Sequence, residues 1–426
     1  MRLNPYYPTV VLCTLMSTVL TSGRVDAAEH EMSYYVNAFD IYEKEAEDQN
    51  TIGVNIEPRL SSEYGDNFES FVSAQLFYAT DVIELESDDN GGSSDQFLGL
   101  KQAWVAYKGL SDHAGDVLVF GRARLRFDDG LLLDKDISTV NWQLHTTQLQ
   151  AQFGIASRLD TFRTDDSELS PTIKNARYLI GQVRWQHHYR HYISANTVYG
   201  NQDEPGLEYD VLWTELALEN GYHKINDPQT WTYNVGVLFA SGTQQETNDI
   251  NGGAVDLGLR WQAESNRVFG GITYTAALEA EEGYIQTGLH SNRSNFSGSR
   301  HRLHRFNEYA RFELQNLEAA TAMLGVNPAE NVEIAVIVSQ FSRVDTDYPV
   351  MATGMPIESY TDQADLGKGL DLVASYYFDK ADPALISNTR IDSFVRLRFS
   401  TFQAGDAINV TEENPIRATL DWVMKI

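Results

Sequence analysis

The segment Gly121-Arg122-Ala123-Arg124-Leu125-Arg126 places three guanidiniums at alternate positions. Phe394-Val395-Arg396-Leu397-Arg398 repeats the device near the C-terminus. Successive side chains on a strand point to opposite faces. Arg122, Arg124 and Arg126 therefore share one face of a strand, and Arg396 and Arg398 share one of another. Arg305 and Arg311 share a face if 302–324 is read as one long strand. Arginine keeps its charge at any working pH and offers a planar fork to carboxylates. Several forks in a low-dielectric wall attract and pass polyanions, which is binding chemistry rather than bond-making chemistry. The same spacing admits a second reading, in which each arginine pairs with an inward acid and only braces the wall. Asp371, Asp392, Asp421 and Glu313 are available partners.

Other reactive residue types are sparse. His187, His188 and His191 flank a short turn at Gln186 to Arg190, with no carboxylate spacing to complete a metal site. Ser291 lies near His290 and His304, but nothing in the spacing supplies an oriented base and a third group to hold it. Asp128-Asp129-Gly130 is first of all a turn. The single cysteine, Cys13, lies in an apolar N-terminal stretch, so disulfides and thiol chemistry are excluded from the remainder. No phosphate loop or dinucleotide fingerprint is present. The expectation is a non-enzyme with no cofactor and no metal.

The elements that must position the arginines are strands. Segments of about 10 residues with period-two alternation recur from residue 52 to the end, separated by turn signals. In 415–426, Ile416, Ala418, Leu420, Trp422, Met424 and Ile426 share one face, opposite Arg417, Thr419, Asp421, Val423 and Lys425. A soluble sandwich would bury the apolar face, whereas a transmembrane barrel would turn it to lipid. Short turns such as Gly65-Asp66-Asn67 and Asn327-Pro328-Ala329 alternate with long acidic loops, and Tyr and Trp recur near strand ends. A lipid-facing arginine at mid-depth costs about 2–4 kcal/mol, so three on one strand belong to an interior. The reading is all-β: one transmembrane antiparallel barrel of about 18 strands with long extracellular loops, an even count and a size that leaves an aqueous channel. Residues 1–27 read as a secretory signal peptide, with Arg2, an apolar core from Tyr7 to Leu20 and a Val25-Asp26-Ala27 cleavage site. The barrel domain is then 28–426. The chain has 426 residues and a formal charge of −28, which excludes a nucleic-acid binder needing a basic footprint.

Gly121-Arg122-Ala123-Arg124-Leu125-Arg126-Phe127-Asp128-Asp129-Gly130 resembles a segment of the alginate-export outer-membrane porins. Thr287-Gly288-Leu289-His290-Ser291-Asn292-Arg293-Ser294 is also similar to that family. So are Ser297-Gly298-Ser299-Arg300, Arg302-Leu303-His304-Arg305-Phe306 and Glu313 to Thr321. Two weaker blocks follow, at Asp365-Leu366-Gly367 with 370–373, and at 395–398 with Gly405-Asp406-Ala407. The resemblance implies an 18-stranded monomer that lets an anionic uronate polysaccharide diffuse across the outer membrane. It implies periplasmic secretion partners, outer-membrane lipid around the wall, and a lumen restricted by loops, with 379–390 as the candidate periplasmic plug. It carries the constriction arginines to Arg126, Arg293, Arg302, Arg396 and Arg398. Two departures stand out: Glu57 precedes Pro58 where the family has a pore arginine, and Gln150 stands at another such position. The alternatives are an anion-selective uptake porin, a general porin and a barrel enzyme.

Overall fold

The computed structural model describes residues 29–44, 48–83, 94–113, 115–127, 130–157, 176–203, 208–220, 231–244, 248–263, 267–278, 283–294, 302–378, 393–410 and 415–426. Residues 1–27, expected to be a signal peptide, the candidate plug 379–390, Asp128, Asp129 and Asp392 lie outside the described residues.

The described chain is all strand, turn and loop. In order the strands are β1 (Glu29–Lys44), β2 (Asp48–Tyr64), β3 (Phe68–Ile83), β4 (Ser94–Tyr107), β5 (Asp116–Arg126), β6 (Asp134–His145) and β7 (Leu149–Ser157). Then come β8 (Arg177–His188), β9 (His191–Gln202), β10 (Tyr209–Asn220), β11 (Trp231–Gln244), β12 (Asn248–Gln262), β13 (Val268–Ala277), β14 (Arg293–Ser294) and β15 (Leu303–His304). The last are β16 (Leu317–Ala329), β17 (Val332–Arg343), β18 (Ser359–Tyr360), β19 (Asp365–Tyr377), β20 (Phe394–Ala404), β21 (Ile408–Asn409) and β22 (Ile416–Lys425). Eighteen of them pair antiparallel, each with its neighbours along the chain, in one sheet. The short pairs β14–β15 and β18–β21 lie in loops. The sheet closes where β1 meets β22, from Tyr35 opposite Lys425 to Lys44 opposite Ile416. The backbones of Tyr34 and Ile426 complete the seam at 2.8 and 2.9 Å. Closure leaves no unpaired edge, the condition for a sheet to sit in lipid.

Alternation sorts the two faces. On β17, Ile334, Val336 and Val338 are exposed, while Glu333, Ala335, Ile337 and Ser339 are buried. Around the wall the outward face carries Leu98, Ile272, Leu324 and Trp422, each more than half exposed, which only a bilayer can cover. The inward face carries Asn141, Glu215, Asp256 and Asp371, all buried.

Two segments depart from the wall. β5 and β6 pair with each other from Asp116–Leu144 to Arg126–Asp134. β4, however, pairs with β5 only as far as Arg122, and β7 pairs with β6 only from Ser138. Beyond these points the hairpin tip, 123–127 and 130–137, pairs with no wall strand and turns into the barrel. Residues 130–137 are consequently buried on both faces. The bend falls at Gly121, whose φ of 126° suits glycine, and whose missing Cβ leaves room for the Ala103 carbonyl. The second departure comprises 283–294 and 302–316. Tyr284, Leu289, Phe306, Tyr309, Phe312 and Leu314 pack against the hairpin's Phe127, Leu131, Leu132 and Leu133, and against wall residues Tyr178, Trp213, Phe341 and Phe402. The barrel thus holds its own core.

This corrects the expectation of one strand over 302–324: the wall strand begins only at Leu317. Asn307, Arg311 and Asn316 adopt left-handed φ of 66°, 49° and 54°, which no strand tolerates. Asn307 Oδ1 accepts hydrogen bonds from the amides of Tyr309 and Ala310 at 3.2 and 2.9 Å, a side-chain turn that competes with extension. The shared face assigned to Arg305 and Arg311 does not exist. Asn327-Pro328-Ala329 also belongs to β16, with a register shift, and the turn follows at Glu330 and Asn331.

Candidate functional site: two arginine clusters in the lumen

The hairpin tip carries the first cluster. Arg124 donates Nε and Nη2 to Asp134 Oδ1 at 2.8 and 2.7 Å. Arg126 Nε donates to the same oxygen at 2.8 Å. Arg302, from the inward segment, bonds Asp134 Oδ2 and the Arg293 carbonyl. Ser291 Oγ adds a fourth donor to Asp134 at 2.7 Å. Arg124 also reaches Asp136 at 3.1 Å, and Gln102 of the wall donates to Asp136 at 2.7 Å. Three guanidiniums thus share one carboxylate that is 1% exposed, while Arg124 and Arg126 keep 28% and 26% of their side-chain surface open. Gly130 makes this possible, because a Cβ there would collide with the Arg302 guanidinium. Backbone contacts hold the two carriers together. Asp134 N donates to the Leu289 carbonyl at 2.7 Å, and Thr287 Oγ1 donates to the Leu132 carbonyl at 2.5 Å. Arg122 Nε donates to the Lys101 carbonyl at 2.9 Å and fastens the hairpin's base to β4.

The wall carries the second cluster. Arg396 and Arg398 occupy neighbouring inward positions of β20 and share Asp421 of β22, at 3.1 and 3.0 Å. Arg398 Nη1 also reaches Glu308 Oε2 at 2.6 Å. Glu308 lies in the inward segment, where it accepts the His304 amide at 2.8 Å, and Arg311 Nε donates to its carbonyl at 3.2 Å. Burial raises the Glu308 carboxyl's pKa, but Arg398, Arg293 and Arg311 outweigh it and hold it well below the usual carboxylate range. Glu308 therefore stays charged at neutral pH. The segment is locked to the wall beneath it, where Asn307 Nδ2 donates to Asp371 at 2.9 Å and Ser400 Oγ to the same oxygen at 2.5 Å.

The structure thus brings Arg124, Arg126 and Arg302 together around Asp134, and Arg396 and Arg398 together around Asp421. Arg293 and Arg311 face Glu308 electrostatically. Arg305 is elsewhere: it is paired with Asp256 on β12, both groups buried. Of the bracing partners named from sequence, Asp421 meets Arg396 and Arg398, while Asp371 binds Asn307, Ser400 and the Glu308 amide instead. Asp134, Asp136, Glu308 and Ser291 were not legible as partners. Asp134 and Asp136 do alternate as Arg124 and Arg126 do, which was the available signal. Ser291 Oγ turns to Asp134 rather than to histidine, and His304 Nδ1 receives the Phe306 amide. His191 Nδ1 meets Tyr233 Oη at 2.8 Å, and among the described residues no three His, Asp or Glu side chains converge to hold a metal. Gln150 Oε1 accepts from Arg184 at 3.4 Å.

A closed 18-stranded antiparallel sheet with an apolar outer belt and a charged lumen defines an outer-membrane porin-type barrel. Its backbone is similar to the crystal structures of Pseudomonas aeruginosa OccK5 (OpdH), at TM-score 0.62 and 10% identity, and of Acinetobacter baumannii OccAB4, at TM-score 0.61 and 12% identity. These cover 93% and 95% of this chain and 98% and 99% of theirs, and at such identity they speak for the fold alone. Residues 27–417 match the alginate-export family, and the chain belongs to it. It is similar to the alginate production protein AlgE of Pseudomonas aeruginosa, 30% identical over 88% of this chain and 86% of that protein. The Pseudomonas syringae and Azotobacter vinelandii proteins of the same name are 28% and 29% identical, over 91% and 80% of this chain and 90% and 80% of theirs.

Proposed function

We propose that the protein is a passive outer-membrane exporter of an anionic, alginate-like polyuronate. On this reading residues 1–27 are a cleaved signal peptide, and 28–426 form one barrel working as a single chain in outer-membrane lipid. Periplasmic secretion proteins deliver the polymer, and synthesis behind it supplies the drive. Arg122, Arg124, Arg126, Arg293, Arg302, Arg396 and Arg398 form the selective zone. Family membership supports the polymer class. The observation that carries the mechanism is that Arg124, Arg126 and Arg302 share the one carboxylate of Asp134, while Arg124 and Arg126 keep 28% and 26% of their side-chain surface open. Ion pairing restrains the forks, and the part of each that stays open can still meet a carboxylate. Binding in a pore has to be strong enough for entry and weak enough for exit, and half-neutralised arginines meet both demands.

Single-channel recording of the refolded protein in a planar bilayer tests this. The expected result is an anion-selective reversal potential in a salt gradient and block by mannuronate oligomers, both weakened in Arg126→Glu or Arg396→Glu. Cation selectivity without block would overturn the arginine mechanism. Free anion conduction without block would favour an uptake porin.

A further inference from the structure

A third group of lumen-facing charge lies on β1–β4 and takes no part in either cluster. Alternation on β2 turns Asn55, Glu57 and Arg59 inward: Glu57 is 1% exposed, while Ile52 and Leu60 on the opposite face are 51% and 44% exposed. Glu57 accepts from Arg59 Nη2 at 2.6 Å, from Lys101 Nζ at 2.7 Å and from Asn55 Nδ2 at 3.2 Å. The Arg59 guanidinium lies over the Tyr35 ring at 5.0 Å. The carboxylate is thus buried behind two cations that keep 18% and 17% of their side-chain surface open. Asn55 Oδ1, Arg59 Nε and Ser73 Oγ are buried on the same strands with no hydrogen-bond partner among the described residues, and Ser73 stands directly opposite Arg59 in the ladder. Such atoms are costly unless something outside the chain satisfies them.

Aromatic rings flank the charge along the strands. On the long-loop side, Phe39, Phe77 and Phe97 stack in series at 5.8 and 5.0 Å, and the Phe39 ring lies over Gly53, where any side chain would displace it. On the short-turn side, Phe71 and Trp104 stack at 5.5 Å. Phe71 and Phe77 are six positions apart on β3, or about 20 Å. The strip therefore runs from rings through a cation pair to rings. Apolar ring surface suits the C–H faces of sugars, and the cation pair suits a carboxylate.

We infer that Glu57 is a tethered carboxylate filling a uronate subsite between Arg59 and Lys101. A passing polymer carboxylate exchanges with it, while the ring stacks on either side form the floor of the same track. An internal competitor lowers affinity and lets the polymer move on. The inference rests on the export reading and names a subsite within it.

The test is block of the refolded full chain by mannuronate oligomers in planar bilayers, with a neutral oligosaccharide of equal length as control. Glu57→Gln removes the competitor, so half-block should fall at about tenfold lower oligomer concentration, with the neutral control unchanged. Adding Lys101→Met to Glu57→Gln should return block to near the wild-type level. Should Glu57→Gln fail to refold, Glu57→Asp serves, with a smaller tightening of about threefold. Unchanged or weaker block in the Glu57 variants, with wild-type block intact, would make Glu57 a brace and overturn the inference while leaving the export reading standing. Absence of block in the wild type as well would remove both.

Discussion

Asp134 and Asp421 do the same thing in two different settings. Each is a buried carboxylate shared by more than one guanidinium. Asp421 belongs to the wall: β20 and β22 pair over eight positions, and each has its second neighbour in β19 or β1. The ladder fixes Arg396 and Arg398 whether or not the acid is present. Asp134 belongs to a hairpin that has left the wall, and Arg302 reaches it from a segment far away in sequence. There the ion pairs, with an apolar contact beneath them, hold in register two carriers that lie outside the wall ladder. One acid tunes a site that the sheet already built, and the other builds its site.

The comparison is broken or sharpened by four substitutions. The largest effect is expected for Asp134→Asn, which leaves Arg124, Arg126 and Arg302 crowded without their anion. Breaking a buried pair from one side costs about 3–5 kcal/mol. Thermal unfolding in detergent should show the loss, and single-channel current should become unsteady as the hairpin loosens. Gly121→Ala comes next, at about 1–3 kcal/mol, because alanine is strained at φ 126° and its Cβ meets the Ala103 carbonyl. Proteolysis of the hairpin tip under native conditions would report it. Asp421→Asn should lower stability by less than Asp134→Asn does and raise the anion-to-cation permeability ratio, since Arg396 and Arg398 stay in place unmasked. A larger stability loss at Asp421 than at Asp134 would refute the distinction between wall and hairpin.

The smallest effect is a pH dependence at Glu308. Its carboxyl is depressed in the folded chain, so its stabilisation is present above the ordinary carboxylate pKa of about 4.3 and is lost as pH falls through the depressed value. The stability advantage of wild type over Glu308→Gln should stay level from neutral pH to about pH 4 and shrink only below it, as followed by unfolding midpoints across pH.

The strand-borne cluster could be read from alternation because two positions of β20 on one face must point the same way wherever the sheet goes. The spacing of Arg122, Arg124 and Arg126 was read by the same rule, yet the strand leaves the wall just past Gly121, and what these residues meet is set by that bend. The rule failed outright over 302–316. The apolar and charged residues there alternate well enough to suggest a strand, but Asn307 and Asn316 hold left-handed turns that fold the segment inward. Period-two patterning describes a surface between two environments, and a segment buried on all sides inside a barrel has no such surface to report.

The sequence by itself determined the closed all-β barrel, the face each wall side chain takes and the clustering of arginine on the inner face, because lipid outside and water inside impose a two-residue period on every wall strand. Only the tertiary structure decided which acid each arginine meets. The partners of Asp134 come from separate regions of the chain, and they converge because the apolar residues of the hairpin, of 283–294 and of 302–316 bury themselves against each other and against apolar wall residues facing the lumen.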